Sequence, residues 1–130
     1  MTDEPDAPFD HSAIPNEVAD DEGLHRRIHP TFLRPDGSVS SQAFRDERMS
    51  VDRAKFRPVR DTLEGYDGYG LARLLTVVAR RFQQEVAADK QLLNPAHALV
   101  KGQKTKGIAR KLARKAFWIV PLSATAAAPN

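Results

Sequence analysis

Apolar and polar positions along this chain change their spacing several times, and each change marks an element boundary. Leu24, Arg26 and Ile28 alternate with His25, Arg27 and His29, so the two sets fall on opposite faces of a strand. Pro30 ends it. Pro35-Asp36-Gly37-Ser38 predicts a turn, because Pro presets φ and Gly takes the positive-φ position. Val39 to Phe44 (VSSQAF) predicts a second short extended run, followed by a charged loop from Arg45 to Arg48. Met49 to Ala54 fits either an extended segment or one helical turn capped by Ser50 or Asp52, and Pro58 limits any helix through Arg57. Glu64 to Gly70, with three glycines and two tyrosines, reads as a loop.

Two readings compete from Tyr69 to Asp89. Leu71, Leu74, Leu75, Val78, Phe82 and Val86 have the spacing of one long amphipathic helix. The alternative splits the segment into a strand at Tyr69–Ala72, a helix capped by Thr76 and running to about Phe82, and a strand at Glu85–Ala87. Beyond it, Ala96 to Val100 is a short apolar run that predicts a buried strand, with Pro95 at its start where no ladder donor is lost. A Gly-bounded loop, Gly102 to Gly107, follows. From Ile108 the period becomes helical, with Ile108, Leu112, Ala116 and Ile119 facing a core and Thr105 placed to cap the first turn. Strands mixed with one or two short helices and a basic C-terminal helix predict a small α+β domain, its sheet mixed or antiparallel.

Charge sharpens this picture. The chain has 130 residues, enough for one domain, with Lys+Arg 20 against Asp+Glu 17. Met1 to Glu22 hold eight of the 17 acids and no Lys or Arg, so the remainder carries all 20 bases against nine acids. Asp89 is the last acidic residue. The expected organisation is a disordered acidic tail over residues 1–23, one α+β domain over 24–122 and a loose tail over 123–130. Phe9, Ile14 and Val18 are the apolar residues by which that first tail could dock on a partner. There is no cysteine, which excludes disulfides and thiol chemistry. The acidic start predicts no secretory signal, no apolar run is long enough for a bilayer, and a cytoplasmic protein is expected.

Three phrases carry a resemblance: His25-Arg26-Arg27-Ile28-His29-Pro30, Ser40-Ser41-Gln42-Ala43-Phe44 leading to Met49-Ser50-Val51, and Asn94 to Val100 with the Lys104-Thr105-Lys106 loop. Over about Leu24 to Trp118 the chain resembles a group of small uncharacterised bacterial proteins. The resemblance implies a shared fold and the split reading after Tyr69. It implies no activity.

The candidate chemistry is anion binding. Lys101, Lys104, Thr105, Lys106, Arg110, Lys111, Arg114 and Lys115 cluster around a predicted helix start, where backbone N–H groups also favour anions. Both i,i+4 pairs on the helix, Arg110–Arg114 and Lys111–Lys115, are like-charged and cost a few tenths of a kcal/mol each. A nearby anion would relieve that repulsion. Gly102 and Gly107 have the separation of a nucleotide-binding loop, but Ile108-Ala109 stand where Lys-Ser/Thr is needed, which excludes an NTPase. Nucleic acid held through phosphates is the first expectation; Tyr66, Tyr69, Phe117 and Trp118 could stack on bases. An acidic protein surface is the second, for an accessory subunit of a bacterial complex. The third is a phosphodiester-cleaving or ADP-ribosyl-transferring enzyme, with His25 or His97 as acid/base and Arg26, Arg27 or Lys104 stabilising charge. Ser40 and Ser41 lack a nucleophile turn. No cofactor is expected. His25 and His29 lie about 13 Å apart along a strand, too far to share a metal.

Overall fold

The sheet is built around β1 (Gly23–Ile28). A computed structural model describes residues 13–122. Within them β1 pairs with β2 (Arg48–Arg53) on one side and β3 (Gly70–Leu75) on the other. β5 (His97–Lys101) and β4 (Glu85–Ala88) extend the sheet beyond β2, and β6 (Phe117–Val120) lies outside β3. The order is β4-β5-β2-β1-β3-β6, and every pairing is antiparallel. This is a small α+β fold, as the mixed periodicities predict.

Alternation gives the sheet two unlike faces. Leu24, Val51, Leu74, Ala98 and Val100 share one face and one core cluster. Ala79 of α2 (Thr76–Arg81), Leu112 of α3 (Lys106–Lys115) and Phe44 of a 3-10 turn at Ser41–Phe44 close that cluster. α2 carries the chain from β3 to the far edge at β4, and α3 brings it back from β5 to β6, so both helices lie over the core face. Fully burying a side chain such as Leu112 contributes about 1.5–3 kcal/mol, which fixes α3 by its apolar stripe and leaves its cations outward. The reverse face carries His25, Arg27, Asp52, Arg73 and His97. The segment holding α1 (Val59–Thr62) lies over part of it: the Thr62 carbonyl accepts from Arg27 Nε at 2.6 Å, and the Arg27 guanidinium sits 4.1 Å from the Tyr66 ring centre.

Several expectations change. Val39 to Phe44 is not a strand. Val39 makes one isolated bridge to Leu33, and then the Ser40 hydroxyl accepts from Gln42 N at 3.2 Å and starts the 3-10 turn that buries Ala43 and Phe44. Met49 to Ala54 resolves to strand through Arg53, as β2, and Ala54 begins the turn after it. Tyr69 to Asp89 is strand, helix, strand, yet Thr76 caps nothing: Leu75 is the cap position, and Thr76 Oγ1 donates to the Glu22 carbonyl at 3.0 Å. α3 starts two residues before Ile108 and ends before Ala116, which turns extended with ψ 154. Ile119 therefore belongs to β6, not to a helix face. The aromatic and β-branched run Phe117–Val120 pairs with β3 instead of continuing the helix.

The boundary of the acidic tail also moves. Residues 1–12 and 123–130 lie outside the described residues, but residues 13–23, expected to be disordered, pack on the domain. Ile14 and Val18 are 1% exposed and dock on the chain's own core. Asp20 pairs with Arg80 at 2.6 Å, and Glu22 with Arg53 at 2.8 Å. Apolar burial and two ion pairs offset the ordering entropy that composition alone leaves unmet.

Candidate nucleic-acid interface

The Lys/Thr loop does not form an open cradle. Lys104 is buried, and its Nζ donates to the carbonyls of Val100 (2.8 Å), Gly102 (3.2 Å) and Glu47 (3.4 Å). Burial pushes its ammonium down to about 8, against the opposing pull of Asp46 and Glu47. Lys104 thus ties the end of β5 to the start of β2 and presents no charge to solvent. Gly102 adopts φ +149, and a Cβ there would lie 2.7 Å from Gln84 Oε1, so this glycine serves a packed corner. Gly107 is inside α3. Thr105 caps the helix as expected, its Oγ1 accepting from Ile108 N at 3.1 Å. Lys101 pairs with Glu85 at 3.7 Å.

The remaining cations behave differently. Lys106, Arg110, Lys111, Arg114 and Lys115 are all exposed on α3. None forms an ion pair with another described residue. At helical spacing they cover one half of the helix, while Ala109 and Leu112 are buried on the other. Lys111 Nζ lies 5.6 Å from the Phe82 ring centre, which holds the stem of that side chain against α2. Arg34, which the sequence does not single out, is an exposed sixth cation facing α3 across a groove lined also by Arg110 and Arg114. Its only sequence signal is its place directly before the Pro35–Ser38 turn.

His25 and His97 lie on the opposite side of the sheet from α3. His25 faces Asp52 on β2 and Arg73 on β3, and Asp52 faces His97 on β5, so Arg73, His25, Asp52 and His97 form one row across four strands. The row is tied up internally. Asp52, 1% exposed, accepts from Asn94 Nδ2 at 2.8 Å, Arg57 Nη1 at 3.2 Å and Arg27 Nη2 at 3.5 Å. His97 Nδ1 lies 3.0 Å from Asp89 Oδ2. His25 Nε2 accepts from Arg73 Nε at 3.0 Å, which places the ring proton on Nδ1, a buried atom with no hydrogen-bond partner among the described residues. Burial pushes His25 down to about 4; Arg73 acts the same way and Asp52 opposes both. His29 is exposed, at the start of a 3-10 turn and edge-on to Tyr69. Arg26, on the core face, is bound to the Ala43 carbonyl and to Asp46.

These contacts tie β1 to β3 through His25 and Arg73 and β1 to β2 through Arg27 and Asp52, while Asp52 and His97 hold the segments at Asn94 and Asp89. A cavity of about 340 Å³ adjoins the row, lined by Arg57, Asn94, Phe56, Asp61 and Glu64. The charges in that lining are mixed, unlike those on α3. Among the described residues no three or more of His, Cys, Asp and Glu gather as a metal site, and no helix is long and apolar enough to cross a membrane. Comparison with protein-family models, with curated proteins and with solved structures returns no match to this chain.

Proposed function

We propose that the protein binds nucleic acid through phosphate contacts made by the outer half of α3. The observation that carries this reading is the set of five exposed cations on α3, each without an ion-pair partner among the described residues. A ten-residue helix is about 15 Å long. Along that length duplex DNA presents about nine phosphate charges, enough to engage all five cations at once. The backbone that carries these side chains is already ordered in the helix, so binding orders side chains alone, whereas a flexible tail would lose backbone freedom as well. Lys101 and Lys104 are committed elsewhere and add little.

Salt dependence tests the reading. Five phosphate contacts correspond to a slope of log K against log salt of about −4.5 on duplex and about −3.5 on single strands. Binding that ignores salt, or no binding to DNA or RNA at low ionic strength, overturns it.

A second reading, contact with a protein partner, is favoured by one other feature. Leu92 and Leu93, in the turn between β4 and β5, are 86% and 91% exposed. Adjacent leucines this bare are an uncommon solvent surface. A partner retained after nuclease treatment and lost with Leu92→Ser/Leu93→Ser would support it. The catalytic alternative has less behind it, because His25, His97 and Arg27 all hold internal partners and lie across the sheet from the free cations.

A further inference from the structure

The groove between the Arg34–Ser41 loop and α3 has two chemically different ends. One end, about 370 Å³, is lined by Arg34, Ser38 and Ser41 of the loop and by Arg110 and Arg114 of the helix. The adjoining end, about 380 Å³, is lined by Val39, Ala113, Ala116 and Trp118 together with the Gly37 backbone region. The two share Asp36, Ser38, Val39, Ala113 and Arg114, so they form one continuous groove. One carboxylate stands against three guanidinium groups. Asp36 Oδ1 is engaged by Ser38, accepting from its Oγ at 2.6 Å and its N at 3.0 Å. Those bonds hold the Asp36 carboxyl below the usual range.

The groove wall is formed before any ligand arrives. Arg34 N donates to the Ser38 carbonyl at 2.8 Å, and Gly37, at φ +87, makes the turn between them. Trp118 Nε1 donates to the Gly37 carbonyl at 3.0 Å, pinning the loop to β6 and fixing the indole at the apolar end. A cationic end beside an apolar, aromatic end suits a ligand that carries a phosphate next to a flat ring. Volumes of this size suit one such unit.

We propose that this groove takes one nucleotide of a single-stranded nucleic acid, its phosphate among Arg34, Arg110 and Arg114 and its base against Val39, Ala113 and Trp118. The proposal rests on the phosphate-binding role of α3 and adds a strand preference to it. A duplex keeps its bases paired and stacked, so it can reach the arginines but not the apolar end. A single strand can do both, and base contact of this kind adds affinity without reading sequence.

Trp118 is the sole tryptophan, so its emission reports directly on the groove. The full chain is titrated with a fluorescently labelled dT strand, a duplex of equal length and an abasic strand of equal length, following label anisotropy and Trp118 emission. The dT strand is expected to bind at least about fivefold tighter than the other two, and it alone changes Trp118 emission. Ala113→Gln, which fills the apolar end without changing charge, is expected to weaken the dT strand and leave the duplex and the abasic strand, held by the cations alone, unchanged. If all three bind alike with unchanged Trp118 emission, or if Ala113→Gln leaves the dT strand unaffected or weakens all three equally, the groove proposal falls while the phosphate reading stands. If none binds at low salt, both fall.

Discussion

Arg53 and Glu22, 31 positions apart, form a buried bidentate ion pair: Nε donates to Oε1 at 2.9 Å and Nη2 to Oε2 at 2.8 Å. The Arg53 side chain has no exposure, and its other donors reach the carbonyls of Pro15 and Glu17. The pair therefore fastens the acidic segment before β1 onto β2. Removing one partner leaves the other charge buried. Glu22→Ala is expected to lower stability by about 3–5 kcal/mol, and replacing both residues by Met by much less. Urea unfolding of the two variants checks this. Burial alone would raise the Glu22 carboxyl, but the Arg53 hydrogen bond, the Ala19 amide and the Arg53 charge outweigh it and hold it below the usual value. Its contribution is present above the unfolded carboxylate pKa and is lost as pH falls through the lower, folded one. An acid-unfolding midpoint that Glu22→Gln leaves unmoved would contradict this.

His25 adds a second, separate pH dependence. Its folded value of about 4 lies below the ordinary imidazole value of 6.5. Between those values the unfolded chain binds the proton and the folded one does not. Its contribution is thus complete above about pH 6.5 and declines as pH falls toward 4, by up to about 1.4 kcal/mol per pH unit. NMR titration of the imidazole is the direct measurement, and a midpoint near 6.5 would show the ring to be solvated. His25→Asn should flatten the stability profile across that window.

Lys104 and the α3 cations separate structure from binding. Lys104→Met removes the side-chain donor from the Val100, Gly102 and Glu47 carbonyls, of which Glu47 still accepts from Gly102 N at 3.0 Å. The expected cost is about 1–3 kcal/mol of stability, with the salt slope of nucleic-acid binding unchanged. Arg110→Ala/Arg114→Ala should do the reverse. It removes two phosphate contacts, makes the duplex slope shallower by about 1.8, and relieves the like-charge repulsion with a small gain in stability. Parallel denaturation and binding curves for the two variants decide whether the roles divide this way.

Gln83 ends α2 in a left-handed conformation, φ 64. Gln84 N reaches the Ala79 carbonyl and Gln83 N the Arg80 carbonyl, each at 3.1 Å, which is the Schellman pattern usually built on glycine. Gln83→Gly should raise stability by up to about 1 kcal/mol, and Gln83→Val should lower it, since a β-branched residue fits that region poorly. Thermal unfolding of the pair reads both signs, and a glycine variant that melts lower would refute the strain argument.

That same residue explains why Tyr69 to Asp89 was ambiguous in sequence. A helix that stops on Gln offers no visible break, so Leu71, Leu74, Leu75, Val78, Phe82 and Val86 look continuous. Leu71 and Leu74 are buried on opposite faces of β3, and Leu75 is half-bare at its end. Helical spacing there is a coincidence of two strands flanking a short helix. Likewise VSSQAF reads as a short extended run, but Ser40 caps a tight turn that carries Ala43 and Phe44 into the core.

What the sequence determined by itself is whatever depends on near neighbours. The β1 alternation, the Pro35–Ser38 turn, the Thr105 cap and the two-sided character of α3 follow from residues within a few positions of one another, whose geometry is set by sterics and local hydrogen bonds. Tertiary structure decided what depends on distant partners. Arg53 selects Glu22, Lys104 turns inward to backbone carbonyls, and His25, Asp52 and His97 become one row only because β1, β2 and β5 lie side by side. Arg34 joins Arg110 and Arg114 for the same reason, since the helix that carries the latter two docks by Leu112 beneath the loop that carries the first. A charge in the sequence does not say whether it will meet water or a buried partner; the packing of the sheet faces settles that.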